Sequence, residues 1–348
     1  MSLPPAFQTL ALRLLPHMPA GLARALAGRA IIADGARLDP IVQIIIRNAP
    51  VRNTTKSDPE TLAQERANSD ATAPLLSPRP KGRVDTTDLQ LPGAAGPRRA
   101  RLYRPAGLPD AAPVLIYFHG GGHVHGSITS HDLLCRALAD AAGIAVIAYD
   151  YRLAPEHPFP AGIEDCIAGF RGLASIAPDL GLDPTRIAVG GDSAGANCAA
   201  VVAQACRDDS PPPALQFLYV PWVDMAEQAP SYRTFAKGFM LEAARMKWFT
   251  RLYLNGADAT DPRASPLRGD LSGLCPALIW TAGFDPLRDE GEAYAAALKR
   301  AGVTVQLERL ADLPHLFPVL ANAVPSAQAA VTRSAALLGR MLREMRPL

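Results

Sequence analysis

From residue 83 onward, short apolar runs alternate with stretches whose apolar residues recur every three or four positions. The runs PVLIYFHG (113–120), IAVIAYDY (144–151), RIAVGG (186–191), LQFLYV (215–220), PALIWTAG (276–283) and VTVQLERL (303–310) read as strands. Helical spacing follows at SHDLLCRALADAAG (130–143), near 161–175, and over 194–207, 289–301 and 325–345. Unbroken apolar strands alternating with helices predict a mostly parallel sheet covered on both faces. RVDTTDLQL (83–91) and RRARLYRP (98–105) predict a paired antiparallel edge.

Two segments stand outside this alternation, residues 1–80 and 223–273. The first reads as helical pieces near 5–15, 18–28 and 38–48, followed by a polar, proline-spaced tract over 50–82 that is too polar for core. The expected division is an N-terminal helical cap segment, 1–82, and a main α/β domain, 83–348, with 223–273 as a second cap contribution. Residues 1–48, with apolar faces at Leu10, Leu14 and Ile41 to Ile46, are expected to cover one end of the sheet and form a pocket wall there.

With 348 residues, 49% hydrophobic and 20% charged, the chain has globular rather than disordered composition. A formal charge of +2 without a basic block gives no footprint for nucleic acid. No apolar run approaches the roughly 18 residues that span a bilayer. The N-terminus lacks a basic n-region, and Arg13, Pro16 and His17 interrupt its apolar segment, so it reads as an amphipathic helix rather than a signal peptide. Five cysteines form no CxxC pair, and Cys198 and Cys206 share a predicted helix about 12 Å apart along its axis. Reduced, mostly buried thiols in a cytoplasmic protein are expected.

The chemistry begins at VLIYFHGGGHVHG (114–126), where a buried strand ends in three glycines. Glycine is costly to order, so three together imply close approach to the main chain. The partner is RIAVGGDSAGANCAA, in which Gly191-Asp192-Ser193-Ala194-Gly195 matches G-x-S-x-G between strand and helix. A serine there sits on a tight strand-to-helix turn. Backbone N–H groups of Gly121, Gly122 and Ala194 are expected to converge as an oxyanion hole, with His119 and Gly120 supporting the loop. His315 is the only histidine after Ser193, which makes it the expected base. Asp285, just beyond PALIWTAG, is the expected acid, ahead of Asp289, Glu290 and Asp312. His123 and His125 read equally well as site-lining and as loop-surface residues.

HGGG at 119–122, YRLAPEHPFPA at 151–161, GDSAGAN at 191–197, DPLRDEGEAYA at 285–295 and H-x-F at 315–317 resemble the hormone-sensitive-lipase family of bacterial carboxylesterases, in its GDSAG subfamily. The resemblance covers about residues 83–345, and LDPIVQIII (38–46) resembles the family's cap helix. It implies an α/β-hydrolase fold, a mostly parallel central sheet flanked by helices with a mainly N-terminal helical cap. It implies hydrolysis of short- to medium-chain acyl esters without cofactor or metal. It also implies Ser193, Asp285 and His315 as the triad and Gly121, Gly122 and Ala194 as oxyanion donors. Leu316 departs from the glycine that often follows the family's catalytic histidine. Arg152, Glu156 and His157 in YRLAPEHPFPA read as structural, since the triad is complete without them.

The expected partner is a small acyl ester, and a homodimer is compatible with the sequence. Three other readings stay open at this stage. An amidase or deacetylase would use the same triad, a ligand-binding receptor would need no base, and a lipid-surface lipase would need a large apolar entrance.

Overall fold

Strands with unbroken apolar sequence are buried along their whole length, and they form the centre of the sheet. The computed structural model describes residues 14–48 and 56–345. Eight strands share one sheet: β1 (Val84–Leu91), β2 (Arg98–Pro105), β3 (Ala112–Phe118), β4 (Ala145–Tyr149), β5 (Leu182–Asp192), β6 (Leu215–Tyr219), β7 (Ala277–Phe284) and β8 (Val305–Pro314). Their order is β8-β7-β6-β5-β3-β4-β2-β1. β3 to β8 run parallel. β2 is antiparallel to both β1 and β4, and β1 pairs with it residue by residue from Val84↔Pro105 to Leu91↔Arg98.

Among the described residues nine α-helices are eight or more residues long: α1 (Ala20–Ala27), α2 (Pro40–Asn48), α3 (Pro59–Leu76), α4 (Ile128–Ala142), α5 (Ala161–Ile176), α6 (Ala194–Ala205), α7 (Ala243–Leu254), α8 (Arg288–Arg300) and α9 (Pro325–Glu344). Successive strand residues point to opposite faces. Ile116 and Phe118 therefore pack with Phe170, Val201 and Leu298 of α5, α6 and α8. Leu115 and Tyr117 pack with Leu134, Leu138, Leu338 and Leu342 of α4 and α9. Among the described residues no helix is long and apolar enough to cross a membrane.

The polar tract, in which the sequence pattern marked no element, contains a long helix. Within it α3 runs eighteen residues, started by Asp58, whose carboxylate accepts the Thr61 N–H at 2.9 Å, and by Pro59 in the first turn. Only Leu62 of this helix is buried, so no apolar period announced it. Polar anchors hold it instead. Arg66 donates to the carbonyls of Val124 (2.9 Å) and Ala154 (3.0 Å) and pairs with Glu156 at 2.8 Å. Ser127 Oγ donates to Asp70 at 2.6 Å.

The expected helix at 5–15, with Leu10, lies mostly outside the described residues. The pieces at 18–28 and 38–48 are α1 and α2. α1 buries Ala23 and Ala27 while Leu22 and Leu26 stay exposed, and α2 buries Ile41, Val42 and Ile45. The Asp39 N–H donates to the Asp312 carbonyl at 2.9 Å, which seats this segment beside the end of β8.

Candidate active site

Three strand ends bring distant residues together at the carboxyl edge of the sheet, the edge where open α/β sheets bind ligands. Ser193 follows β5, Asp285 follows β7 and His315 follows β8. His315 Nε2 lies 2.9 Å from Ser193 Oγ, and its Nδ1 lies 2.8 Å from Asp285 Oδ2. All three side chains are buried. Asp285 accepts the Leu287 N–H on Oδ1 at 2.9 Å, leaving Oδ2 for the imidazole. This network assigns the proton to Nδ1, so Nε2 is free to accept from the serine hydroxyl.

The rival carboxylates are engaged elsewhere. Asp289 accepts the Ser231 N–H at 2.8 Å and pairs with Arg288 at 2.8 Å. Glu290 accepts the N–H groups of Val223 (2.7 Å) and Asp224 (3.2 Å), and burial pushes its carboxyl well above the usual range. Burial also raises Asp312, which makes no contact with His315.

The turn at Ser193 carries φ 56° and ψ −117°, a left-handed backbone that a serine holds only under constraint. Its N–H donates to the Tyr219 carbonyl at 2.9 Å, and its carbonyl accepts the Asn197 N–H at 3.0 Å. A side chain at Gly191 or Gly195 would collide with the Phe118 carbonyl, so both neighbours of the serine must be small.

The glycine loop lies against this turn. Gly121 and Gly122 have φ of 118° and 65°, and their N–H groups meet no backbone or side-chain acceptor among the described residues. A Cβ at Gly122 would enter the Phe249 ring. Gly120 donates its N–H to Asp192 Oδ1 at 3.0 Å, and Tyr117 donates its hydroxyl to the same oxygen at 2.7 Å. Burial works to raise the Asp192 carboxyl, but His131 and the Tyr117 bond outweigh it and hold the group below its ordinary range. Asp192 thus ties the glycine loop to the serine strand. Sequence reasoning passed over it, although it stands beside the serine in GDSAG. His119 stacks on Tyr151 at 4.5 Å, with Nδ1 2.9 Å from the Gly120 carbonyl, and Tyr151 donates its hydroxyl to the His119 carbonyl at 2.7 Å. These contacts brace the loop.

A cleft of about 920 Å³ opens over Ser193, Gly121 and Gly122. One wall is apolar, built from Met240, Leu241, Met246, Phe249 and Leu316. α3 lines the cleft as well, through polar residues that include Thr61, Gln64, Glu65, Asn68, Ser69 and Thr72. The described part of residues 1–48 contributes nothing to this cleft, because it packs on the outer side of the His315 loop. Met240, Leu241, Arg245, Met246 and Phe249, all within 223–273, line the cleft.

The two remaining loop histidines divide. His123 stacks on Tyr253 at 3.9 Å and is buried away from the cleft, whereas His125 lines it, 3.2 Å from Glu65 and 2.8 Å from Arg245. Arg152 pairs with Asp165 at 2.7 Å and Glu156 with Arg66, both structural. Burial and the neighbouring His119 push His123 down to about 3, and burial and Arg245 push His125 down to about 4. Both are therefore neutral in the fold, while in the unfolded chain they take protons near pH 6.5. Each contributes stability that is whole above about pH 6.5 and is lost as pH falls toward the folded-state values. The urea midpoint is expected to fall between pH 7 and pH 5, and an unchanged midpoint contradicts the burial of these rings as neutral groups.

Comparison with known proteins places this geometry among relatives. A family model described as the alpha/beta hydrolase fold matches residues 115–319. The chain is 45% identical over 316 residues to the carboxylic ester hydrolase LipN of Mycobacterium tuberculosis, covering 88% of this chain and 84% of that one. It is 42% identical to an ethyl acetate hydrolase of Pseudomonas putida, over 65% of this chain and 73% of the other. Among solved structures it is similar to EstE1, a thermophilic carboxylesterase cloned from a metagenomic library. That match has a TM-score of 0.77 and 38% identity over 82% of this chain and 98% of the other.

Proposed function

This chain belongs to the α/β-hydrolase family, and its relatives make it a serine carboxylesterase; from that premise we propose which residues carry the reaction. The observation that carries the proposal is the continuous line of contacts from Asp285 through His315 to Ser193. Ser193 Oγ attacks the ester carbonyl while His315 Nε2 takes its proton. The N–H groups of Gly121, Gly122 and Ala194 receive the charge that develops on the carbonyl oxygen. As the tetrahedral centre collapses, His315 returns the proton to the leaving alkoxide, and the alcohol departs from an acyl-enzyme on Ser193. Water enters, His315 takes its proton, and a second collapse frees the acid and restores the serine. Throughout, Asp285 holds the Nδ1–H tautomer and stabilises the imidazolium.

The acyl group is short to medium in length. Each buried CH₂ contributes about 0.8 kcal/mol, so the apolar wall rewards the first carbons and stops when the cleft is filled. In a series from acetate to laurate, kcat/KM is expected to peak at butyrate or hexanoate; a profile still rising at laurate contradicts the bounded pocket. Ester chemistry itself is tested with p-nitrophenyl butyrate against butyryl p-nitroanilide. The ester should turn over far faster, and comparable turnover of the anilide would make the protein an amidase.

A further inference from the structure

The position of α3 is not explained by hydrophobic packing. Of its eighteen residues only Leu62 is buried, yet Arg66 and Asp70 pin it onto the loop that carries the glycines. What this placement achieves is a fixed polar lining that shares the cleft with the apolar one. Thr61, Gln64, Asn68 and Thr72 follow helical spacing along one face of the helix, with Ser69 beside them.

These groups are uncharged and have hydrogen-bonding capacity left over. Gln64 donates its amide to Asn68 Oδ1 at 2.9 Å, which leaves the Gln64 carbonyl as an acceptor and the Asn68 amide as a donor. Glu65 on the same face is neutralised by Arg245 at 2.7 Å, and Glu60 at the rim disfavours an anion. A hydroxyl is the group that both donates and accepts without bringing charge. An alkyl chain laid on this face would strip water from hydroxyls and amides and return no hydrogen bond.

We infer that the ester this enzyme is built for has two unlike halves, an alkyl half that lies on Leu241 and Phe249 and a half bearing uncharged hydroxyl groups that Gln64, Asn68 and Ser69 hydrogen-bond. The inference rests on the serine carboxylesterase reading of the cleft. The hydroxyls can belong to the alcohol or to the acyl group, and the test separates the two.

The full chain is assayed with propyl butyrate, with 2,3-dihydroxypropyl butyrate and with propyl 3-hydroxybutyrate. One hydroxylated ester should exceed propyl butyrate by roughly tenfold in kcat/KM, the scale of one or two net hydrogen bonds, and which one it is names the half that faces α3. Gln64→Leu and Asn68→Leu, at exposed positions of the helix, should bring that ratio close to one. The inference is overturned if neither hydroxylated ester is favoured, or if the preference survives both substitutions. Hydrolysis of no ester at all would overturn the carboxylesterase reading along with it, whereas equal hydrolysis of all three overturns only the inference.

Discussion

Ser193→Ala is expected to remove ester turnover by about 10⁶-fold in kcat, the scale measured when a serine hydrolase loses its nucleophile. The substitution deletes one oxygen, the atom 2.9 Å from His315 Nε2, and leaves the imidazole with no hydroxyl to deprotonate. Residual rate comes from the glycine loop and from binding alone. Stability should change little. The lost hydroxyl bond is worth about 1 kcal/mol, and alanine meets the same backbone constraint at φ 56° that serine already meets. Turnover of p-nitrophenyl butyrate and a thermal melt read the two effects separately. A variant that melts like the wild type yet keeps a substantial fraction of its rate contradicts the assignment.

The second large effect is expected at Asp285→Asn, about 10⁴ in kcat by the measure of the serine-protease triad. The asparagine fits the same space, but with its oxygen kept on the Leu287 N–H its NH2 faces Nδ1 as a donor, so the proton is displaced from Nδ1 and the charged imidazole loses its partner. Asp289→Asn removes an anchor for Ser231 and Arg288 instead, and belongs with ordinary losses of stability. The contrast is the informative part. Loss at both positions of the same size in kcat, with both variants folded, would mean that the acid is shared or misassigned.

Why these residues were legible in sequence, and others not, follows from how each is held. Ser193 and Asp285 each stand directly after an apolar strand, so the pattern that marks the sheet also marks the catalytic edge; His315, after the half-polar β8, was legible as the only histidine that follows Ser193. The glycines of the 119–122 loop were legible because backbone approach excludes every other residue type. α3 was not, since it is a helix without an apolar stripe, anchored through Arg66 and Asp70 to carbonyl and hydroxyl groups more than fifty residues away. Such pairings leave no period to read. The same reason hid Glu65 and Arg245, which meet His125 at the cleft from two other segments. Residues 14–48 showed the converse problem. Their apolar face was visible, but periodicity does not say which surface it covers, and it covers the ground beside Asp312 rather than the cleft.

The central claim is that Ser193 forms the covalent intermediate. An activated organophosphonate, which needs a serine paired with a base beside an oxyanion hole, tests it on the intact protein. Inactivation followed by peptide mapping should find one phosphonyl group per chain, on Ser193, and none in Ser193→Ala. A label on any other serine, or complete inactivation that leaves Ser193 unmodified, contradicts it.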